Sequence, residues 1–209
     1  MPEPGSPVDR IVTFLAANLL WFMLSALIVP LPAATAGLIA TFAPWIRGKD
    51  TELFSAFFGT MRRQWLKSTV IVLLDAAVGS LIYVNFTALN MMSLDPLFAT
   101  FLRGLNILIV YIVLTGNIYL WTLLVLFDLP LRRLFNVSFR LALGHPFSSL
   151  LTLILTLIPL LILVIIPNVI VLLVIFSASA LAINWGGWRI IKKYASPEEL
   201  ADLEQSYRH

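Results

Sequence analysis

Few residues in this chain have the type and the setting needed for chemistry. Asp75 stands inside a long apolar run, where a carboxylate costs on the order of 2.5 kcal/mol or more and indicates a functional site. Asn18, in an earlier apolar run, is expected at a similar depth and is therefore the predicted neighbour of Asp75. Two roles stay open for Asp75: a hydrogen bond that holds helices together, or a step in a proton or substrate path.

His145 is the other titratable residue of interest. It precedes Pro146 at a predicted helix end, and no second metal ligand stands near it in the sequence. We therefore expect it to cap or border a helix, with a metal-binding or switching role as the less favoured alternative.

Three arginines, Arg132, Arg133 and Arg140, lie between two long apolar runs in "FDLPLRRLFNVSFRLALGHPFSSLL", residues 127–151, just after Asp128. Leucine and phenylalanine recur at helical spacing over 130–144, which predicts an amphipathic helix with the arginines on or near its polar side. On an inner membrane surface, each cation among anionic headgroups contributes about 1 kcal/mol. Anchoring is therefore the first interpretation, and docking of a partner or an anionic ligand is the second.

Enzyme chemistry has little support in this sequence. There is no cysteine, and we find no pair of carboxylates, no metal-ligand cluster and no nucleophile with a base at a recognisable spacing. We expect neither an enzyme nor a resident cofactor or metal, and we expect no nucleic-acid partner.

The composition predicts an all-α integral membrane protein. With 60% hydrophobic and 12% charged residues, the chain has too little polar surface for a water-soluble globule. Residues 1–209 are predicted to form one membrane domain with short cytoplasmic tails at 1–9 and 195–209. Five stretches approach or exceed the roughly 20 residues that cross a bilayer, namely 11–29, 68–89, 105–127, 147–166 and 169–188.

Residues 31–46 are predicted to form a short sixth crossing. Pro30 and Pro32 end the first helix, and small residues at helical spacing would let the following segment pack closely against it. With six crossings and both termini cytoplasmic, every basic residue except Arg103 lies on the inner side. A five-crossing alternative, with a re-entrant segment and the N-terminus outside, stays open.

A second amphipathic cytoplasmic helix is predicted over residues 50–66, "DTELFSAFFGTMRRQW". Asp50 or Thr51 would cap it, and its aromatic residues recur at spacings of three and four.

Three stretches carry a family resemblance: the run over residues 127–151 with Asp128 and His145, "NLLWFMLSALIVPLPAATAGLIATF" and "FSAFFGTMRRQWLKS". Through them the sequence resembles the YesL-like bacterial integral membrane family, a domain of unknown function. The family pattern is matched at Trp21, over Pro30–Thr35 and over Phe57–Lys67. The resemblance implies an accessory membrane protein associated with sugar uptake and polysaccharide use, and it assigns no catalytic or binding residue.

The functional expectation is an accessory or scaffold protein of the cell membrane. Its expected partners are anionic lipid headgroups at the inner face and a membrane protein such as a sugar-uptake component. The alternative is a small transporter or channel that uses Asp75, although one carboxylate with scattered amides is a sparse path for a sugar.

Overall fold

The computed structural model describes residues 6–92 and 94–205, without the side chains of residues 201, 202, 204 and 205. Arg208, counted above among the inner basic residues, and parts of both predicted tails lie outside the described residues. The described chain is helical and contains no strand, which confirms the all-α prediction. Its helices are α1 (Pro7–Ser25), α2 (Leu31–Phe42), α3 (Leu53–Met91), α4 (Pro96–Leu126), α5 (Leu131–Gly144), α6 (Pro146–Ile165), α7 (Val169–Ile191) and α8 (Pro197–Gln205).

Five of these helices, α1, α3, α4, α6 and α7, are long and apolar enough to cross a membrane. They contain the five stretches predicted from the sequence, apart from a few residues at their ends. Large apolar side chains remain exposed along them, such as Leu81 at 69% and Val164 at 78%. Lipid tails would cover such surfaces, so the structure is that of a multi-pass membrane protein.

The helices begin at residues with a clear capping role. Asp95 accepts hydrogen bonds from two backbone N–H groups at the start of α4, and Asn168 accepts one at the start of α7. Prolines occupy the first positions of α4 and α6, where a helix needs no N–H donor. These local signals explain why the lipid-facing helices begin where they do.

The helix in the region of the predicted sixth crossing, residues 31–46, is shorter than predicted. Helix α2 has 12 residues, or about 18 Å, against a hydrocarbon core of about 30 Å. By helix length, the structure therefore has the five crossings of the alternative prediction. Helix α1 also ends at Ser25, before the proline pair, and Ile28 in the turn has a left-handed φ of 61°.

The chain nevertheless returns beside α1 over that helix's whole length. Trp21 Nε1 donates to Thr35 Oγ1 at 3.0 Å, the Phe14 and Phe42 rings are 5.6 Å apart, and Arg10 pairs with Asp50 at 3.1 Å. The segment from α2 to Asp50 thus runs antiparallel to α1. Its direction is that of the predicted sixth crossing.

The start of the first long helix and the end of the last one therefore lie at the same end of the bundle. Asn184 on α7 donates to the Ile39 carbonyl on α2, and the Arg47 guanidinium lies 5.6 Å from the Trp188 ring centre. Helix α7 consequently runs parallel to α2 and antiparallel to α1. We call the end where α1 begins and α2 and α7 end the basic end; it carries Arg10, Arg47 and Arg189.

The predicted surface helix over 50–66 is not a separate element. It is the first part of α3, a continuous helix of 39 residues, or about 58 Å. The predicted cap is also wrong, because Glu52 precedes the helix without a side-chain cap and Asp50 pairs with Arg10 instead. Of its aromatic residues, Phe57 is fully buried, whereas Phe54, Phe58 and Trp65 remain exposed.

Helix α2 is the packing centre of the molecule, and it contacts α1, α3, α4 and α7. Ten of its 12 residues are buried, most of them small. A Cβ on Gly37 would lie 2.7 Å from the Phe57 carbonyl oxygen, so only glycine allows α2 and α3 to approach this closely. The small residues predicted to permit close packing do so, mainly against α3.

Helix α5 confirms the amphipathic helix predicted over residues 130–144. It is a distinct helix that packs on α4 through Leu134, Ser138, Leu141 and Ala142. Pro130 sets its start, and Gly144 is its last residue before α6 begins at Pro146.

Candidate functional site

Asp75 lies on the face of α3 that meets α4. It is half-buried, and its Oδ1 accepts a hydrogen bond of 2.9 Å from Asn117 Nδ2. Asn117 Nδ2 also donates to the Val113 carbonyl, whereas Asn117 Oδ1 is buried and has no partner among the described residues. Asp75 thus makes a hydrogen bond between helices, with an amide of α4 as its partner.

The predicted pairing of Asp75 with Asn18 is wrong. Asn18 is buried between α1 and α7, where its amide donates to the Leu172 carbonyl at 2.8 Å. Its Oδ1 accepts from the backbone N–H groups of Phe176 and Ser177. The sequence indicated the depth of Asn18 but not its direction around the helix axis, and that direction selects the partner.

Polar pairs recur along the seam between α3 and α4. Asn85 Nδ2 donates to Asn106 Oδ1 at 3.0 Å, and Arg103 donates to Asn90 near the far end. Together with Asp75–Asn117 and Lys67–Asp128, they fix the antiparallel register of the two helices. Asn85, Asn117 and Asn184 stand in apolar runs, a setting that predicts hydrogen bonds between helices, and each makes one.

Asp128 connects this seam to the basic end. Its carboxylate pairs with the Lys67 ammonium, and Lys67 also donates to the Leu129 carbonyl at 3.0 Å. The hydrogen bond from Lys67 and its positive charge, aided by Arg63, lower the pKa of Asp128 below its usual value. Asp128 is therefore a fixed anion that ties the start of the α5 segment to α3.

The three arginines of α5 are all exposed. Arg132, Arg133 and Arg140 make no hydrogen bond or ion pair with any residue that the structure describes. The opposite face of α5 is anchored on α4, where the Phe139 ring fills the space above Gly116. A rigid helix thus presents three guanidinium groups that the described residues do not neutralise.

His145 lies at the junction of α5 and α6 and ends one helix as it begins the other. Its Nε2 is 3.1 Å from the Tyr194 hydroxyl, and its carbonyl accepts from Ser149. Its Nδ1 is buried without a described partner. Within residues 6–92 and 94–205 no group of three or more His, Asp or Glu side chains is placed to hold a metal. The position of His145 between α5 and α6 fits the predicted helix-border role.

A polar cavity at the basic end was missed by sequence reasoning. It has a volume of about 870 Å³ and lies between the segment before α3, the first part of α3, the end of α4 and α8. Its carboxylates come from residues far apart in sequence: Asp50, Glu52, Asp128 and Glu199. No local pattern in the sequence could show that these stretches meet.

Comparison with known proteins finds two similarities. The family model described as "Protein of unknown function, DUF624" matches residues 14–86, which are the greater part of α1, all of α2 and most of α3. The protein "Uncharacterized protein YesL" of Bacillus subtilis (strain 168) is 26% identical over 138 residues. That match covers 64% of this chain and 64% of the relative's length. No solved structure matches.

Proposed function

We propose that this chain, which is similar to the uncharacterised YesL protein, is an integral membrane accessory or scaffold protein that binds a partner through its basic end. The observation that carries this proposal is the arginine face of α5, defined as Arg132, Arg133 and Arg140. These cations stand on a helix fixed to the bundle, and five long helices already hold the protein in a bilayer. Anchoring alone therefore needs no such face.

We place the basic end on the cytoplasmic side of the cell membrane. Lys and Arg are enriched in cytoplasmic segments of membrane proteins, and the basic end carries Arg10, Arg47 and Arg189. Since α1 begins and α7 ends there, both termini are cytoplasmic in this arrangement. The arginine face then meets anionic headgroups and any partner at the inner membrane surface.

The partner that we propose is another membrane protein, specifically a component of a carbohydrate-uptake system. The resemblance to YesL-like proteins suggests this association, and the arginine face suits a partner with an acidic surface. In this proposal the protein is not an enzyme and needs no cofactor, and its amide side chains Asn18, Asn117 and Asn184 serve as contacts between helices.

A small transporter or channel is the second candidate, and the polar seam between α3 and α4 favours it. However, Lys67, Asp75 and Asn85 are separated by eight and ten residues along α3, or about 12 and 15 Å. A proton relay needs steps near hydrogen-bond length. The pairs therefore fit contacts that set helix register better than they fit a path.

A charge-reversal experiment tests the scaffold function. Arg132→Glu/Arg133→Glu should lose copurification of a specific partner from native membranes, and adding Arg140→Glu should deepen the loss. The matched control is Lys192→Glu/Lys193→Glu, which makes the same charge change at exposed residues of the same end. Membrane insertion should be unchanged in both variants.

Two results would contradict the proposal. Equal loss of partner in both variants would indicate a general charge effect at the membrane surface. Solute flux by the purified protein in liposomes, sensitive to Asp75→Asn and insensitive to the arginine substitutions, would instead establish the transporter.

A further inference from the structure

The polar cavity at the basic end has the dimensions of a ligand site. Its volume of about 870 Å³ lies within the roughly 300–1,000 Å³ typical of small-molecule sites. Four separate parts of the chain build it, so it exists only in the folded protein. Helix α8 forms one wall and is held in place by Leu203, which is 8% exposed.

Acceptors with negative charge dominate the cavity. Among the described residues it is lined by four carboxylates and one cationic side chain, Arg63. Three of the carboxylates are engaged: Asp50 with Arg10, Asp128 with Lys67, and Glu199 with the backbone N–H of Ser196. The Glu52 carboxylate has no hydrogen bond or ion pair with any described residue, so its charge is available to a ligand.

A buried acceptor without a donor lies in the wall that α3 contributes to the cavity. Gln64 is only 2% exposed, and its Oε1 has no hydrogen-bond partner among the described residues. Thr51 Oγ1, also in the lining, is buried and unpartnered as well. Buried polar atoms are normally hydrogen-bonded, so an orphaned acceptor in a cavity wall indicates a missing donor.

We propose that this cavity binds an organic cation that carries a primary ammonium group. An ammonium has three N–H donors and no acceptor, which suits both the unpartnered Gln64 amide oxygen and the unpaired Glu52 carboxylate. These two residues are twelve positions, or about 18 Å, apart along the chain of α3, so an extended cation with more than one ammonium group is needed to reach both. Hydroxyl groups of Thr51, Ser55 and Thr60 complete the polar lining. The described acidic residues do not form a cluster suited to a metal, which favours an extended organic cation over a metal ion.

Two sources supply this ligand chemistry: a free polyamine, or a lysine side chain of a partner protein. Both place an ammonium group at the end of a flexible alkyl chain. This inference does not depend on the scaffold function, because the cavity and the arginine face share no residue.

Binding to the purified protein in a non-ionic detergent tests the inference without anionic lipid. Spermidine should raise the thermal unfolding temperature and bind measurably by calorimetry, whereas neutral sorbitol should do neither. A hexalysine peptide distinguishes the sources: tighter binding than spermidine assigns the cavity to a partner's lysine, and weaker binding assigns it to a free amine.

Variants locate the site. Glu52→Gln should weaken spermidine binding about tenfold, and Gln64→Met should also weaken it. The control is Glu198→Gln, which makes the same change at an exposed residue of α8 outside the lining and should leave binding unchanged. Arg132→Glu/Arg133→Glu should bind as well as the native protein. Absence of spermidine binding, equal binding of sorbitol, or equal weakening by Glu52→Gln and Glu198→Gln would overturn the inference.

Discussion

At the scale of single residues, the Asp75–Asn117 contact distinguishes a structural role from a pathway role. Asn117 gives Asp75 its hydrogen bond, while Asn117 itself retains the Val113 carbonyl if Asp75 is removed. Removing the Asn117 side chain and removing the Asp75 side chain should therefore change the stability of the protein by different amounts. An interhelical hydrogen bond in a membrane contributes about 0.6 kcal/mol on average, whereas an unpaired carboxylate there costs about 2.5 kcal/mol or more.

We predict that Asn117→Ala destabilises the protein more than Asp75→Ala. The expected losses are about 2 kcal/mol and about 0.6–1.7 kcal/mol, and the double variant should recover part of the larger loss because no carboxylate is left unpaired. Unfolding of the purified protein in detergent measures all three. Asn85→Ala, at the Asn85–Asn106 pair of the same seam, provides the uncharged control.

The opposite order would contradict the structural role of this contact. If Asp75→Ala abolished a cellular phenotype at unchanged stability, the carboxylate would be functional and the transporter would regain support.

At the scale of helices, α2 decides how the bundle is assembled. Its small residues let α3 approach to a distance at which one added carbon would overlap backbone. A membrane offers little hydrophobic driving force between helices, so such close contact supplies the dispersion energy that holds them together. Gly37 is therefore a packing residue, even though it lies within a helix.

We predict that Gly37→Ala destabilises the protein by about 1–3 kcal/mol, since its Cβ would lie 2.7 Å from the Phe57 carbonyl oxygen. Gly79→Ala is the control, because nothing lies within 4 Å of a Cβ built there and alanine has the higher helix propensity. Thermal unfolding in detergent should show a lower midpoint for Gly37→Ala and an equal or higher one for Gly79→Ala. Similar effects at both positions would show that α2 and α3 can separate at no cost.

At the scale of the whole molecule, the return of the chain through α2 sets the orientation of the termini. A 12-residue helix cannot cross a bilayer by itself, yet the segment through Asp50 travels beside α1 back to the basic end. Five long helices would otherwise leave the termini on opposite sides. The short buried segment brings them to the same side.

We predict that the N- and C-terminal ends face the cytoplasm together. The chain has no cysteine, so single cysteines at Ser6, Ser93 and Ala195 can be labelled without background. An impermeant maleimide applied to intact cells should label only the cysteine at position 93, which lies outside the described residues between α3 and α4. Labelling at position 6 from outside would refute the return through α2.

The sequence by itself determined the membrane class, the five long helices, the amphipathic α5 and the positions of the interhelical amides. Each depends on hydrophobic runs, helical spacing or a proline, which act over a few neighbouring residues. The arginine face was identified for the same reason: spacing of 3.6 residues places Leu134 and Leu141 opposite the cations. Local chemistry was sufficient for these features.

Only the tertiary structure decided the partner of each polar group and the existence of the cavity. Asp75 meets Asn117 and Asn18 meets α7 because helix rotation, set by packing, chooses which faces touch. The segment over 50–66 became part of α3, where Phe57 packs against Gly37 of α2 while Phe54, Phe58 and Trp65 stay exposed. Asp50, Asp128 and Glu199 surround one cavity because three distant chain segments end at the same side of the bundle, which no local pattern encodes.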